Sequence, residues 1–184
     1  NANSQKSEGF DFSATGRFEV ANDVTFTSSI EGSYIIELST SFPSGGKESY
    51  AGTLGNFNLT AGSGTPRWKG SWVNTIQYGA ASLTASANYY GGYNLSAEDQ
   101  GGVSGDCGLS SGFTPCDVGS YTTVDLTGEV EVNDKFTFYV NVLNLLDDLP
   151  PIDHVTYGAH LYNAVQGGTG IIGRSFRAGV RFKL

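Results

Sequence analysis

The chain has no methionine, few cations and no long apolar run, and each absence removes a class of function. Only 10 lysines and arginines stand against 18 aspartates and glutamates, a formal net charge of -8. A phosphate-binding surface needs a basic face, so nucleic acid is excluded as a partner. No stretch approaches the roughly 18 consecutive apolar residues of a membrane-spanning helix. That exclusion does not reach β-barrels, whose strands are only half apolar. With no methionine and no secretory signal at Asn1, the chain is expected to be a mature product or a piece of something longer. Cysteine is nearly absent as well. Cys107 and Cys116 sit in one Gly/Ser-rich stretch, which reads as a disulfide in an oxidising compartment, with two free loop thiols as the alternative.

What the chain does have is glycine (26), tyrosine (10) and phenylalanine (11), the composition of a β-rich protein with many turns. The end of the chain sets the pattern. Phe176, Ala178, Val180, Phe182 and Leu184 alternate with Arg177, Gly179, Arg181 and Lys183. A period of two over residues 172–184 predicts a strand with one apolar and one cationic face. The same alternation recurs over 9–20, 24–38, 67–78, 81–89, 121–132 and 136–142. About seven strands follow, most of them roughly twice the usual length of about 5–6 residues.

The connections alternate too. Residues 21–23, 79–80 and 133–135 read as tight turns, the first placing Val20 opposite Val24. Between them lie long polar loops over 39–65, 94–119 and 147–170. Short turns at one end and long loops at the other are the habit of an outer-membrane barrel. In the phase fixed by the aromatics, Asp11, Arg17, Glu19, Glu31, Glu37, Arg67 and Lys69 fall on the face opposite the apolar one. So do Asp125, Glu129, Glu131, Arg177, Arg181 and Lys183, while Arg174 is the exception at a loop end. A charge facing lipid costs about 2–4 kcal/mol at mid-bilayer. Tyr34, Trp68, Tyr78, Tyr89 and Phe136 stand near strand ends on the apolar face, where aromatic girdles belong. The fold class read here is all-β, an antiparallel transmembrane β-barrel segment of about seven strands. A soluble sandwich is the rival, since it alternates as well. Seven is odd and its outer strands would be unpaired in lipid, so further strands are expected upstream or in a second chain.

Three runs resemble the C-terminal end of TonB-dependent outer-membrane receptors: residues 121–126 (Tyr-Thr-Thr-Val-Asp-Leu), 140–148 (Val-Asn-Val-Leu-Asn-Leu-Leu-Asp-Asp) and 173–180 (Gly-Arg-Ser-Phe-Arg-Ala-Gly-Val). Ser7 to Asp11 and Pro66-Arg67-Trp68 match the family's habits as well. Two departures stand out: Leu146 replaces the usual aromatic of the asparagine-leucine-aromatic-aspartate box, and Leu184 the usual terminal aromatic. The resemblance implies that residues 1–184 are the C-terminal part of a barrel of about 22 strands in the Gram-negative outer membrane. It implies a plug domain and earlier strands outside this chain, a TonB–ExbB–ExbD partner, and a small-molecule substrate such as a siderophore, vitamin, haem or oligosaccharide.

Candidate sites are few. No nucleophilic triad can be assembled, because His154 and His160 share one loop, and two histidines underfill a zinc site. Asp147, Asp148 and Asp153 read as a solvated acidic loop, and Glu98, Asp99 and Asp106 lack EF-hand spacing. Hence no enzyme activity, metal or cofactor is read. Tyr90, Tyr93, Tyr157, His160 and Tyr162, near the outer mouth, are candidates for stacking on a ligand or for packing loops together. Asp125, Glu129, Glu131, Arg177, Arg181 and Lys183 are read as the polar wall of a lumen. Transport is the leading reading. A non-transporting outer-membrane barrel (surface receptor, adhesin or porin) and a barrel enzyme are its rivals.

Overall fold

Alternation along each segment becomes one antiparallel meander in the computed structural model, which describes residues 4–43, 45–53, 65–94, 117–152 and 168–183. The strands are β1 (Ser4–Ala21), β2 (Val24–Ser41), β3 (Lys47–Ser49), β4 (Trp68–Tyr78), β5 (Ala81–Tyr90), β6 (Tyr93–Asn94), β7 (Asp117–Val118), β8 (Tyr121–Asn133), β9 (Phe136–Leu143) and β10 (Ser175–Phe182). The long ones pair in the order β1-β2-β4-β5-β8-β9-β10, each beside its successor in the chain. Short β3 adds to β2, and β6 pairs with β7 as a separate ribbon.

Register carries the two-faced pattern across the whole sheet. Val24 stands opposite Tyr78, and the row continues through Ala81, Val130, Phe138 and Val180. The adjacent row, on the other face, runs Thr25, Gln77, Ser82, Glu129, Tyr139 and Gly179. Nothing among the described residues covers the apolar face: Trp72 is 52% exposed and Phe176 70%. Among the described residues the buried apolar ones are Ala51, Tyr93, Val118 and Tyr121, all near the long-loop end. A sandwich would bury its apolar face against a second sheet. Here it is bare.

Aromatic clusters mark the two ends of that face. Phe10, Tyr34 and Trp68 meet with ring centroids 4.6–6.1 Å apart at the long-loop end. Phe18 stacks on Phe26 at 6.5 Å at the short-turn end. Eight residues of strand between Phe10 and Phe18 span about 26 Å. A tilt of about 35–45° reduces this to about 20 Å of height, close to the roughly 25 Å apolar band of outer-membrane barrels.

Three expectations need correction. The first turn is not three residues long: Ala21 pairs with Val24 around Asn22-Asp23, and Val20 bulges out. Asp23 takes the left-handed backbone this needs, with φ 62°. Phe18 still faces Phe26, because a bulge plus a two-residue loop uses the same length of chain. The second correction concerns Glu37. Gly9 pairs with Ile35 but Glu8 with Glu37, so Ile36 is a bulge that flips the phase of β2 beyond it. Glu37 therefore shares a face with Lys6 and Glu8, which is the face of Phe10, above the aromatic cluster. Third, the last strand begins at Ser175, not 172. Residues Gly168–Ile172 form a 3-10 turn, and Gly173 has φ 77°.

Candidate functional site

The polar face is a wall of short hydroxyl side chains studded with charge. Thr75 and Thr84 share a hydrogen bond of 2.9 Å, and Ser71 donates to Glu31 at 3.1 Å. Toward the long-loop end the wall is hollowed into a depression of about 530 Å³, whose lining includes Asp11, Glu31, Lys69, Ser71, Asn88 and Tyr90. Such a surface offers hydrogen bonds and charge of both signs to a polar ligand or to a protein domain. Among the described residues no group of three or more His, Cys, Asp or Glu sits together to hold a metal.

Lower on the same face, Arg181 lies 3.7 Å from Glu129, and its guanidinium carbon stands 5.9 Å from the centre of the Tyr139 ring. Glu131, Arg177 and Lys183 continue the same alternation, and Lys183 N–H donates to the Lys135 carbonyl at 3.0 Å. Five of the six residues of the expected polar wall thus share one face by register, and Lys183 follows just past the end of β10. Asp125 differs from the rest: its carboxylate accepts the backbone N–H of Asn144 at 2.8 Å.

That bond belongs to a knot at the long-loop end, built by residues 144–148. Asn144 is buried with φ 51°, and Asp147 has φ 60°. The Asn144 amide donates to the Asp148 carbonyl at 2.8 Å and accepts the Asp148 N–H at 3.2 Å. Tyr121, at the start of β8, donates its hydroxyl to the same carbonyl at 2.9 Å. Across the knot, Asp147 accepts the Arg174 N–H at 2.7 Å, and Arg174 Nη1 donates to the Leu145 carbonyl at 3.3 Å. So the box ties β8, β9 and the entry to β10 at one point. Arg174, the exception in the charge pattern, is a partner in this knot.

At the outer end of β2, Glu37 accepts from Lys47 at 2.7 Å, from Ser39 at 2.9 Å and from Lys6. The Lys47 ammonium first, then Lys6 and the Ser39 hydroxyl, hold its carboxyl at about 2, well below the usual carboxylate range. The neighbouring carboxylates Glu37 and Glu8 raise the Lys6 ammonium in turn. Sequence reasoning missed this cluster because a bulge leaves no mark in the alternation when Ile35 and Ile36 are both apolar.

Of the tyrosines expected at the mouth, Tyr90 faces Tyr121 across β5 and β8, on the polar face. Tyr93 is 3% exposed and opposite Val118, so it packs inside the loops. Tyr157, His160, Tyr162, Cys107 and Cys116 lie outside the described residues. Also unforeseen are Ser28 and Asn74, neutral polar residues in the apolar phase: they stand opposite one another, and Trp72 donates its indole N–H to Ser28 at 2.9 Å.

A family model described as TonB dependent receptor-like, beta-barrel, matches residues 1–145. The match takes in β1 through β9 and ends inside the knot; β10 is joined to it by unbroken register with β9. No curated relative and no solved structure matches the chain.

Proposed function

We propose a transport role on one premise: the chain belongs to the family of TonB-dependent receptor-like β-barrels. In this reading it is the C-terminal part of an outer-membrane importer for a scarce nutrient: a siderophore, vitamin, haem or oligosaccharide. Its apolar face meets lipid and its polar face lines the lumen. The observation that carries the reading is the register. Between the two aromatic clusters the long strands set most of their apolar residues in the same rows, over a height that fits the hydrocarbon band, with no second sheet covering them among the described residues.

The sheet is open, which supports further strands. β1 and β10 each lack a ladder partner on one side among the described residues. Seven antiparallel strands also leave β1 and β10 running the same way, so all-antiparallel closure needs an odd number of additional strands. The polar depression around Asp11, Glu31 and Lys69 is then a surface for a plug domain or for passing substrate. Energy would come from a TonB–ExbB–ExbD complex acting on that plug.

The test is growth of a host that displays the full-length protein, fed in turn on iron chelates, cobalamin, haem and oligosaccharides as sole sources. Growth on one class with TonB, lost on its deletion, is the expected result. Uptake that persists without TonB would move the chain to the porin or surface-receptor class.

A further inference from the structure

β10 reaches β9 through the long connection of residues 144–174, so no tight turn dictates how the two strands line up. Alternation narrows the choice without making it. A slip of one residue would turn Phe176, Val180 and Phe182 toward the polar face. A slip of two keeps every apolar residue on the apolar face. Moved one way, Ala178 would stand opposite Val142 and Val180 opposite Val140. Moved the other way, Phe176 would meet Val140 and Val180 would meet Phe136. The structure holds one pairing, Phe176 with Val142 and Val180 with Phe138. A feature beyond the two-faced pattern therefore selects it.

Two contacts distinguish this pairing from its neighbours. At the entry to β10, the Arg174 N–H donates to Asp147 Oδ1 at 2.7 Å, and its Nη1 donates to the Leu145 carbonyl at 3.3 Å. Both acceptors are themselves tied to β8 and β9. Leu145 N–H donates to the Val124 carbonyl at 2.6 Å, and Asp147 N–H to the Asn144 carbonyl at 2.9 Å. A two-residue slip carries Arg174 about 7 Å along the strand. Its N–H then loses Asp147 altogether. At mid-strand, the Tyr139 ring lies over Gly179, where an added Cβ would overlap it. Either slip brings an arginine to that place instead, Arg181 or Arg177. The entry device recurs at β4. Arg67 immediately precedes that strand, and its Nη1 donates to the carbonyls of Ile35 at 3.1 Å and Ile36 at 2.7 Å on β2, the ladder partner across a long loop.

We propose that Asp147 and Arg174 form a register clamp, which picks the pairing of β10 on β9 from the set that alternation allows. Gly179 beneath Tyr139 is its second check. The consequence falls at the far edge of β10: the register on β9 sets the height at which β10 meets the strand that closes the barrel. The inference rests on the ladder between β9 and β10, and not on what the barrel transports.

The experiment is oxidative cross-linking of the full-length protein in native outer membranes, with each bond identified by peptide mass mapping of the folded, heat-shifted fraction. Val142→Cys is combined either with Phe176→Cys, its partner in the structure, or with Ala178→Cys, its partner after a slip. Asp147→Gly removes the acceptor and tolerates the positive φ of 60°. Asp147→Asn keeps an acceptor oxygen. The expected result in Asp147→Gly is a several-fold rise of the 142–178 bond at the expense of the 142–176 bond, larger again when Tyr139→Ala is added. Asp147→Asn is expected to keep the parent ratio. Where Asp147→Gly yields no folded protein, Arg174→Ala takes its place; it keeps the N–H bond, so a smaller rise is expected. An unchanged ratio in the variant that folds overturns the clamp. A rise in Asp147→Asn equal to that in Asp147→Gly overturns the assignment of the Asp147 oxygen as its acceptor.

Discussion

Asn144 holds left-handed backbone with its N–H 2.8 Å from the carboxylate of Asp125, on the neighbouring strand β8. The bond satisfies a buried donor in a turn that cannot satisfy it internally. Asp125→Ala leaves that donor unpaired and should cost about 1–3 kcal/mol. Asn144→Ala should cost more than Asn144→Gly, by roughly 1 kcal/mol, because both lose the amide bonds to Asp148 but only alanine resists positive φ. Unfolding in detergent, followed by the heat-dependent shift in gel mobility, ranks the three. Equal losses for the alanine and glycine variants would show that the backbone angle does not matter.

Much of the fold was legible because one rule, apolar every second residue, acts on every long strand. The pairs Tyr78–Ala81 and Gln77–Ser82 follow from counting across a two-residue turn, whereas the register of Val24 on Tyr78 spans a long loop and comes from the structure alone. The rule fails where it has nothing to count. Ile35 and Ile36 are both apolar, so the bulge at Ile36 was invisible and Glu37 was assigned to the wrong face. Ser28 and Asn74 carry no charge, so a phase judged by charges passed over them. The Asp125–Asn144 bond joins residues 19 apart through a turn whose geometry is local to residues 144–148. The short strands β3, β6 and β7 lie in stretches read as loops, where pairing depends on how the loops fold back onto one another.

The two faces should answer differently to the same charge. Val140 is 52% exposed on the apolar face, and Thr127 lies between Thr84 and Asn141 on the polar one. Val140→Arg places a guanidinium in hydrocarbon, well inside the band, and should cost about 2–4 kcal/mol. Thr127→Arg reaches lumen water and should cost less than about 1 kcal/mol. Reversible unfolding of the full-length protein in lipid vesicles measures both. The reverse order would mean that the faces have been assigned backwards.

Acid should release the outer end of β2. The carboxyl of Glu37 lies at about 2 in place of its usual 4.5, held down by Lys47 first and Lys6 second. A lowered carboxylate stabilises the fold above about 4.5, and its contribution is lost as pH falls toward about 2. Lys6, raised above 10.5, contributes fully below that value and loses its share only at higher pH. The cluster therefore stays closed through the neutral range, opens as acid protonates Glu37, and weakens again only where Lys6 loses its proton, above 10.5. Protection of the β3 amides against hydrogen exchange, taken relative to the intrinsic rate at each pH, should fall from pH 5 to pH 2 in the parent. In Glu37→Gln that acid dependence should be gone; if it persists, another group controls the opening.

Tyr139 and Gly179 face each other across β9 and β10, and the tyrosine ring lies over the glycine so closely that an added Cβ would overlap it. Arg181 stands beside that ring and reaches Glu129, so the ring's position also sets the cation's. Gly179→Ala must displace the ring, at a cost of about 1–3 kcal/mol for overpacking. Removing the ring first should abolish most of that cost, because the overlap is then gone. In a Tyr139→Ala background, Gly179→Ala should cost less than about 0.5 kcal/mol, a strongly non-additive pair. A double-mutant cycle on unfolding free energy reads this directly. Additive costs would mean that the glycine is required by backbone conformation and not by the aromatic ring that covers it.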